Sequence, residues 1–212
     1  MTEHDPAAAA VGILDAVLED SRGFGFLGPG PLAPQIEHAR GFASMVERAP
    51  ESFLDLGAGG GLPGLVLAVL WPQASGVLLD AMVRRTAFLR EACDRLGLGD
   101  RIRVVCARAE DAARDPALRA QSRLVVSRSF GLPAVTAECA AGFLAPEGAL
   151  IVSEPPDDEP ERWPAQGLEL LGLTLERAPR PESRYVLLRR TGAVDDRYPR
   201  RTGVPGKRPL WP

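Results

Sequence analysis

Apolar positions in this chain cluster into short runs separated by amphipathic stretches. The segments 52–56, 76–80, 102–106, 123–127 and 149–153 are runs of strand length. Between them, 62–70, 84–96, 110–121 and 132–143 carry helical spacing. Strands alternating with helices predict an α/β fold whose mostly parallel sheet is covered on both faces. Upstream, Val11, Leu14, Val17 and Leu18 give 7–20 a helical stripe, and Ile36, Phe42 and Val46 do the same for 35–48. A Gly- and Pro-rich loop at 22–34 separates the two. Downstream, a loop with four prolines at 155–164 precedes two further predicted strands, 168–176 and 184–189, which would add antiparallel edges. The last eighteen residues, 195–212, hold four prolines and two glycines and predict an extended tail. The chain thus divides into an N-terminal helical extension (1–50), a ligand-binding α/β domain (51–190) and a C-terminal tail (191–212).

Where the first predicted strand ends, the periodicity breaks into chemistry. Residues 53–64 read F-L-D-L-G-A-G-G-G-L-P-G, with Gly57, Gly59 and Gly61 at alternate positions after Asp55. Glycine turns the chain tightly and lets a ligand approach the backbone. The helix that follows offers free N–H groups and a positive dipole end. A P-loop would need Gly-Lys-Ser/Thr here, but the sole lysine is Lys207. Residues 59–64 also satisfy the dinucleotide pattern G-x-G-x-x-G. The acid two residues before Gly57 points instead to a cationic, amino-acid-bearing ligand such as S-adenosylmethionine, whose ammonium Asp55 could meet. A ligand-free glycine turn is the plain alternative.

In open α/β sheets ligands lie beyond the carboxyl ends of the strands. Asp80 ends the second strand, 19 residues after Gly61, where an acid can accept ribose hydroxyls. The third leads into Ala107-Arg108-Ala109-Glu110, where backbone and carboxylate could meet an adenine edge. The fourth ends in Ser127-Arg128-Ser129-Phe130, beside a methyl donor's reactive end. The structural alternatives are a helix cap for Asp80 or Glu110 and an ion pair for Arg128.

Composition narrows the class. No apolar run approaches the roughly 20 residues that span a bilayer, and the acidic start M-T-E-H-D-P is not a secretory lead. A soluble cytoplasmic protein is expected. Cys93, Cys106 and Cys139 form no C-x-x-C pair and the chain has two His, so no metal site is expected. The net charge of −3 is uneven: from residue 177 onward nine Arg and Lys207 face three acids, or +7, which leaves −10 for the rest. A basic end on an acidic body suggests a polyanionic partner.

The run D-L-G-A-G-G-G-L-P-G, L-L-D with R-R-x-x-F-L-R (84–90), A-R-A-E (107–110), V-S-R-S-F (126–130) and the tail R-Y-P-R-R-T-G-V-P-G-K-R-P-L (197–210) resembles the RsmG (GidB) family. These are bacterial small-subunit ribosomal RNA methyltransferases acting on guanine N7. The likeness covers roughly 24–212. It implies a class I methyltransferase, a Rossmann-like three-layer sandwich that uses S-adenosylmethionine. Residue by residue, it implies that Gly57 and Leu62 contact the cofactor and Asp80 holds ribose. Ala109 and Glu110 would hold adenine, and Arg128, the catalytic candidate, would lie near the cofactor's far end. Tyr198, Arg200, Arg201 and Lys207 would bear on ribosomal RNA or the small ribosomal subunit. Two segments depart from the family pattern. Residues 38–42 read H-A-R-G-F, with Gly41 at the family's Asp place. The fifth strand ends in Ser153-Glu154-Pro155-Pro156, an acid where the family has a lysine. A paralogue with another acceptor, or a non-catalytic cofactor- or RNA-binding module, would also fit these departures.

Overall fold

A computed structural model describes residues 6–155, 162–178 and 184–212. Eight helices and seven strands alternate among these residues: α1 (Pro6–Gly23), α2 (Leu32–Ser44), β1 (Ser52–Leu56), α3 (Gly64–Leu70), β2 (Ser75–Asp80), α4 (Val83–Arg95), β3 (Ile102–Cys106), α5 (Ala109–Ala112), β4 (Ser122–Ser127), α6 (Pro133–Ala141), β5 (Leu144–Ser153), α7 (Ala165–Glu169), β6 (Leu173–Arg177), β7 (Tyr185–Arg190) and α8 (Val204–Lys207). The sheet order is β3-β2-β1-β4-β5-β7-β6. Strands β1 to β5 pair in parallel, whereas β7 is antiparallel to both β5 and β6.

The two-residue period of each strand sorts its side chains into two cores. Phe53, Leu78, Leu124, Val126, Ile151 and Leu187 face α1 to α4. Leu54, Leu79, Val125, Leu150, Val186 and Leu188 face α5, α6, α7 and the C-terminal segment. This is the expected three-layer sandwich. Helix α2 reaches β7 through Gly41, where an added Cβ would fall among the Tyr185 ring atoms, 2.6 Å from Cζ.

Several features differ from the sequence reading, among them β5, which begins at Leu144 rather than 149. Residues 168–169 belong to α7, and β6 begins only at Leu173. Here Gly172, at φ +63, turns the chain between the two. The helix expected over 110–121 is the single turn α5, followed by further turns through Asp115 and Leu118. The tail is not extended away from the body. It folds back through α8 and buries Tyr198, Pro205 and Trp211. Of the proline-rich loop, 156–161 lies outside the described residues, Pro156 among them.

Candidate functional site

The strand order reverses between β1 and β4, because β1 connects onward to β2 on one side while β4 pairs on the other. Such a reversal splays the loops at the carboxyl ends and opens a crevice. The glycine turn fills that point. Gly57, Gly59 and Gly61 all have positive φ, at 78°, 54° and 101°. At Gly59 a Cβ would meet nothing nearer than the Gly57 carbonyl at 3.6 Å, so this face of the turn is open. At Gly57 the close neighbour is Phe130, 2.7 Å from an added Cβ. The missing side chain there makes room for that ring.

Asp80 holds the turn in shape. Its Oδ2 accepts the Gly59 N–H at 3.0 Å and its Oδ1 accepts the Met82 N–H at 2.8 Å, with Arg85 Nη1 3.6 Å away. Asp80 therefore clamps the glycine turn to the start of the next helix segment. The Ala107 N–H donates to the Asp80 carbonyl, which brings the 107–110 segment to the same strand ends. Glu110 accepts the Gly203 N–H at Oε1, 2.8 Å. From the other flank Ser21 in α1 donates to the Gly60 carbonyl.

Asp55 corrects an expectation. Its side chain is fully buried beneath the turn, where Oδ2 accepts the Gly64 N–H at 2.8 Å, so it does not reach an open ligand face in this conformation. Burial raises its pKa to about 7, against the lowering by the Gly64 hydrogen bond. Oδ1 has no hydrogen-bond partner. Arg128 stands opposite, at the end of β4. Its Nη2 donates to Gln35 Oε1 at 3.2 Å, its Nη1 is buried without a partner, and burial lowers its pKa against the pull of Asp55. Asp55 and Arg128 Nη1 lie buried below the turn, but the open face at Gly59, beside the Asp80 carboxylate at the end of β2, leaves room for a nucleoside-bearing cation. The residues present thus fit S-adenosylmethionine.

Two further sequence candidates have buried side chains. Leu62 and Ala109 pack into the two cores at 5 % and 6 % exposure, which leaves their backbones as the groups that can meet a cofactor. In the tail, Tyr198 is buried and Arg200 is bound to Glu138, whereas Arg201 and Lys207 are exposed.

Beyond Arg128 a cleft of about 340 Å³ opens between the ends of β4 and β5. His38, Phe130, Glu154 and Trp163 are among its walls. Glu154 accepts the Trp163 Nε1–H at 3.1 Å and pairs with Arg162 Nε at 2.8 Å. Tyr185 Oη donates to the His38 carbonyl at 2.5 Å and lies 3.3 Å from its Nδ1. Burial, then Arg128, lowers the His38 pKa, so the ring is neutral at pH 7. Gln35, Tyr185, Glu138 and Trp163 were missed in sequence because their partners lie 62 to 147 positions away, or, for Trp163, beyond the proline loop. No group of three or more His, Cys, Asp or Glu arranged for a metal is found among the described residues.

Comparison with known proteins agrees with this geometry. Residues 37–161 match the model of the family GidB, described as rRNA small subunit methyltransferase G. The chain is 35% identical over 169 residues to ribosomal RNA small subunit methyltransferase G of Synechococcus sp., covering 76% of this chain and 71% of that protein. It is 34% identical over 190 residues to the same-named protein of Prochlorococcus marinus, covering 85% and 73%. Among solved structures, an O-methyltransferase from Bacillus cereus in complex with SAH superposes with a TM-score of 0.57 at 15% identity, over 84% and 89% of the two chains. A putative O-methyltransferase from Klebsiella pneumoniae gives 0.56 at 17%, over 85% and 90%. These two share the class I methyltransferase fold. With the turn, the clamp and the cleft in the order that fold demands, the chain belongs to the rRNA small subunit methyltransferase G (GidB) family.

Proposed function

We propose that this S-adenosylmethionine-dependent methyltransferase methylates guanine N7 in small-subunit (16S) ribosomal RNA. The observation that carries the reading is the continuity of the Asp80-clamped glycine turn with the cleft, through Phe130 and Arg128. When bound, the cofactor supplies an electrophilic methyl group on a sulfonium. Guanine N7 already carries a lone pair, so no side chain need remove a proton before attack. The chain's own contribution is then positioning and electrostatics. Gly59 gives the cofactor room and Asp80 fixes the loop against it. Arg128, steadied by Gln35, stands between cofactor and acceptor. Phe130 and Trp163 present aromatic walls of the kind on which unstacked bases are held. A neutral His38 and a Glu154 already paired with Arg162 and Trp163 are consistent with a site that runs no acid–base step. Arg201 and Lys207, exposed on the tail, would meet rRNA phosphates.

The test is mass spectrometry of small-subunit rRNA from a deletion strain, with purified protein added back to free rRNA and to subunit particles. Loss of one N7-methylguanosine and its restoration is the expected result, and unchanged methylation would overturn the assignment. The acid Glu154 in the cleft favours a second reading, a different acceptor. In that case the protein would bind S-adenosylmethionine yet methylate neither rRNA nor particles.

A further inference from the structure

The C-terminal segment touches the acids on the cofactor side of the fold, and it does so with its own backbone. The Gly203 N–H donates to Glu110 Oε1 at 2.8 Å. One residue earlier, Thr202 Oγ1 donates to Asp111 Oδ1 at 2.5 Å. Both acceptors lie in the first turn of α5, the segment that follows β3 towards the adenine position. The neighbouring Arg200 is locked in place. Its N–H, Nε and Nη2 reach the wholly buried Glu138 at 2.7, 2.9 and 2.6 Å, and Nη2 also donates to the Arg208 carbonyl. Arg119 and Arg114 donate to the Tyr198 and Pro199 carbonyls. Residues 198–203 thus form a strap, anchored at Glu138 and ending on Glu110. Between the anchor and the contact sits Arg201, and four residues past Gly203 sits Lys207, both pointing cationic side chains to solvent.

We propose that this strap positions Glu110 for the adenine ring and couples cofactor binding to rRNA binding. The inference rests on the cofactor and rRNA assignments made above. Glu110 is a carboxylate with 4 % exposure, and a donor fixed on one oxygen sets the direction of the other. A strap seated on α5 therefore presents Glu110 in one orientation. Arg201 lies within the strap and Lys207 just beyond it, so phosphates held by these exposed cations sit on the same segment whose backbone orients Glu110. By linkage, the factor by which rRNA raises cofactor affinity equals the factor by which cofactor raises rRNA affinity.

The experiment uses the full chain. Thr202→Val removes one hydroxyl from an exposed position, Thr202→Ser keeps it, and Gly203→Ala strains a φ of +78° in open space. Thr202→Val should raise the S-adenosylmethionine Kd and KM roughly two- to tenfold, the worth of one hydrogen bond, with Thr202→Ser restoring both. Gly203→Ala should raise them roughly fivefold or more, the cost of a left-handed alanine. The KM for rRNA without a change in kcat should move by less. In wild type, calorimetric S-adenosylmethionine affinity should tighten when rRNA is present, and this gain should shrink in both variants. If wild type binds the cofactor and Thr202→Val, Thr202→Ser and Gly203→Ala bind it equally well, the strap has no positioning role. Equal wild-type affinity with and without rRNA would overturn the coupling. Failure of wild type to bind S-adenosylmethionine at all would instead overturn the cofactor assignment.

Discussion

Asp55 shows how one residue can be found in sequence and misread there. Its place two positions before the glycines marked it for a ligand, but its burial makes it a strut between β1 and α3. A carboxyl raised from 3.8 to about 7 on folding binds its proton more tightly in the native state. Its cost to stability is absent below about pH 4, grows as pH rises to about 7, and is constant above. At full size this is roughly 4 kcal/mol. Asp55→Asn keeps an acceptor for Gly64 and removes the titration. Its stability relative to wild type, from urea unfolding between pH 4 and 8, should climb through that window, and a flat difference would show that Asp55 is not held protonated. Gly59 was read correctly as a position with free space. Gly59→Val should abolish measurable S-adenosylmethionine binding in calorimetry while the protein remains folded by circular dichroism, and micromolar affinity in the variant would move the ligand elsewhere.

Among elements, the C-terminal segment departs most from its expected part. Tyr198 and Arg200 were assigned to RNA on a resemblance, yet the ring is buried and the guanidinium neutralises a carboxylate with no exposure at all. Removing one partner of such a pair leaves a buried charge uncompensated, at about 3–5 kcal/mol. Arg200→Ala should therefore lower the melting temperature markedly, and adding Glu138→Ala should recover most of the loss. An Arg200→Ala protein as stable as wild type, weakened only toward RNA, would return the residue to the interface. Helix α2 is positioned by a similar exchange, because Gly41 accepts the Tyr185 ring and carries His38 to the cleft.

Over the whole molecule, the basic end survives as a surface once its structural cations are set aside. Arg201 and Lys207 remain exposed. The double change to Ala should weaken rRNA binding and flatten its dependence on salt by about two phosphate contacts, with the melting temperature unchanged. Loss of stability instead would mean that these cations, too, serve the fold.

Strand and helix alternation, the ends of β1 and β3, the glycine turn and the acid that ends β2 were legible in the chain, because each is a local rule of period, turn chemistry or spacing. The family followed from the same short motifs. The place of Asp80 at a strand end was legible, although its hydrogen bond to Gly59 was not, since it spans 21 residues. Only the tertiary structure decided which polar groups stay open to solvent and which serve the fold. Burial set Asp55 beneath the turn, Glu138 drew Arg200 out of the RNA-facing set, and β7 brought Tyr185 to Gly41. Each is a long-range match of charge or shape, and a linear pattern of apolar and polar residues carries no record of the partner.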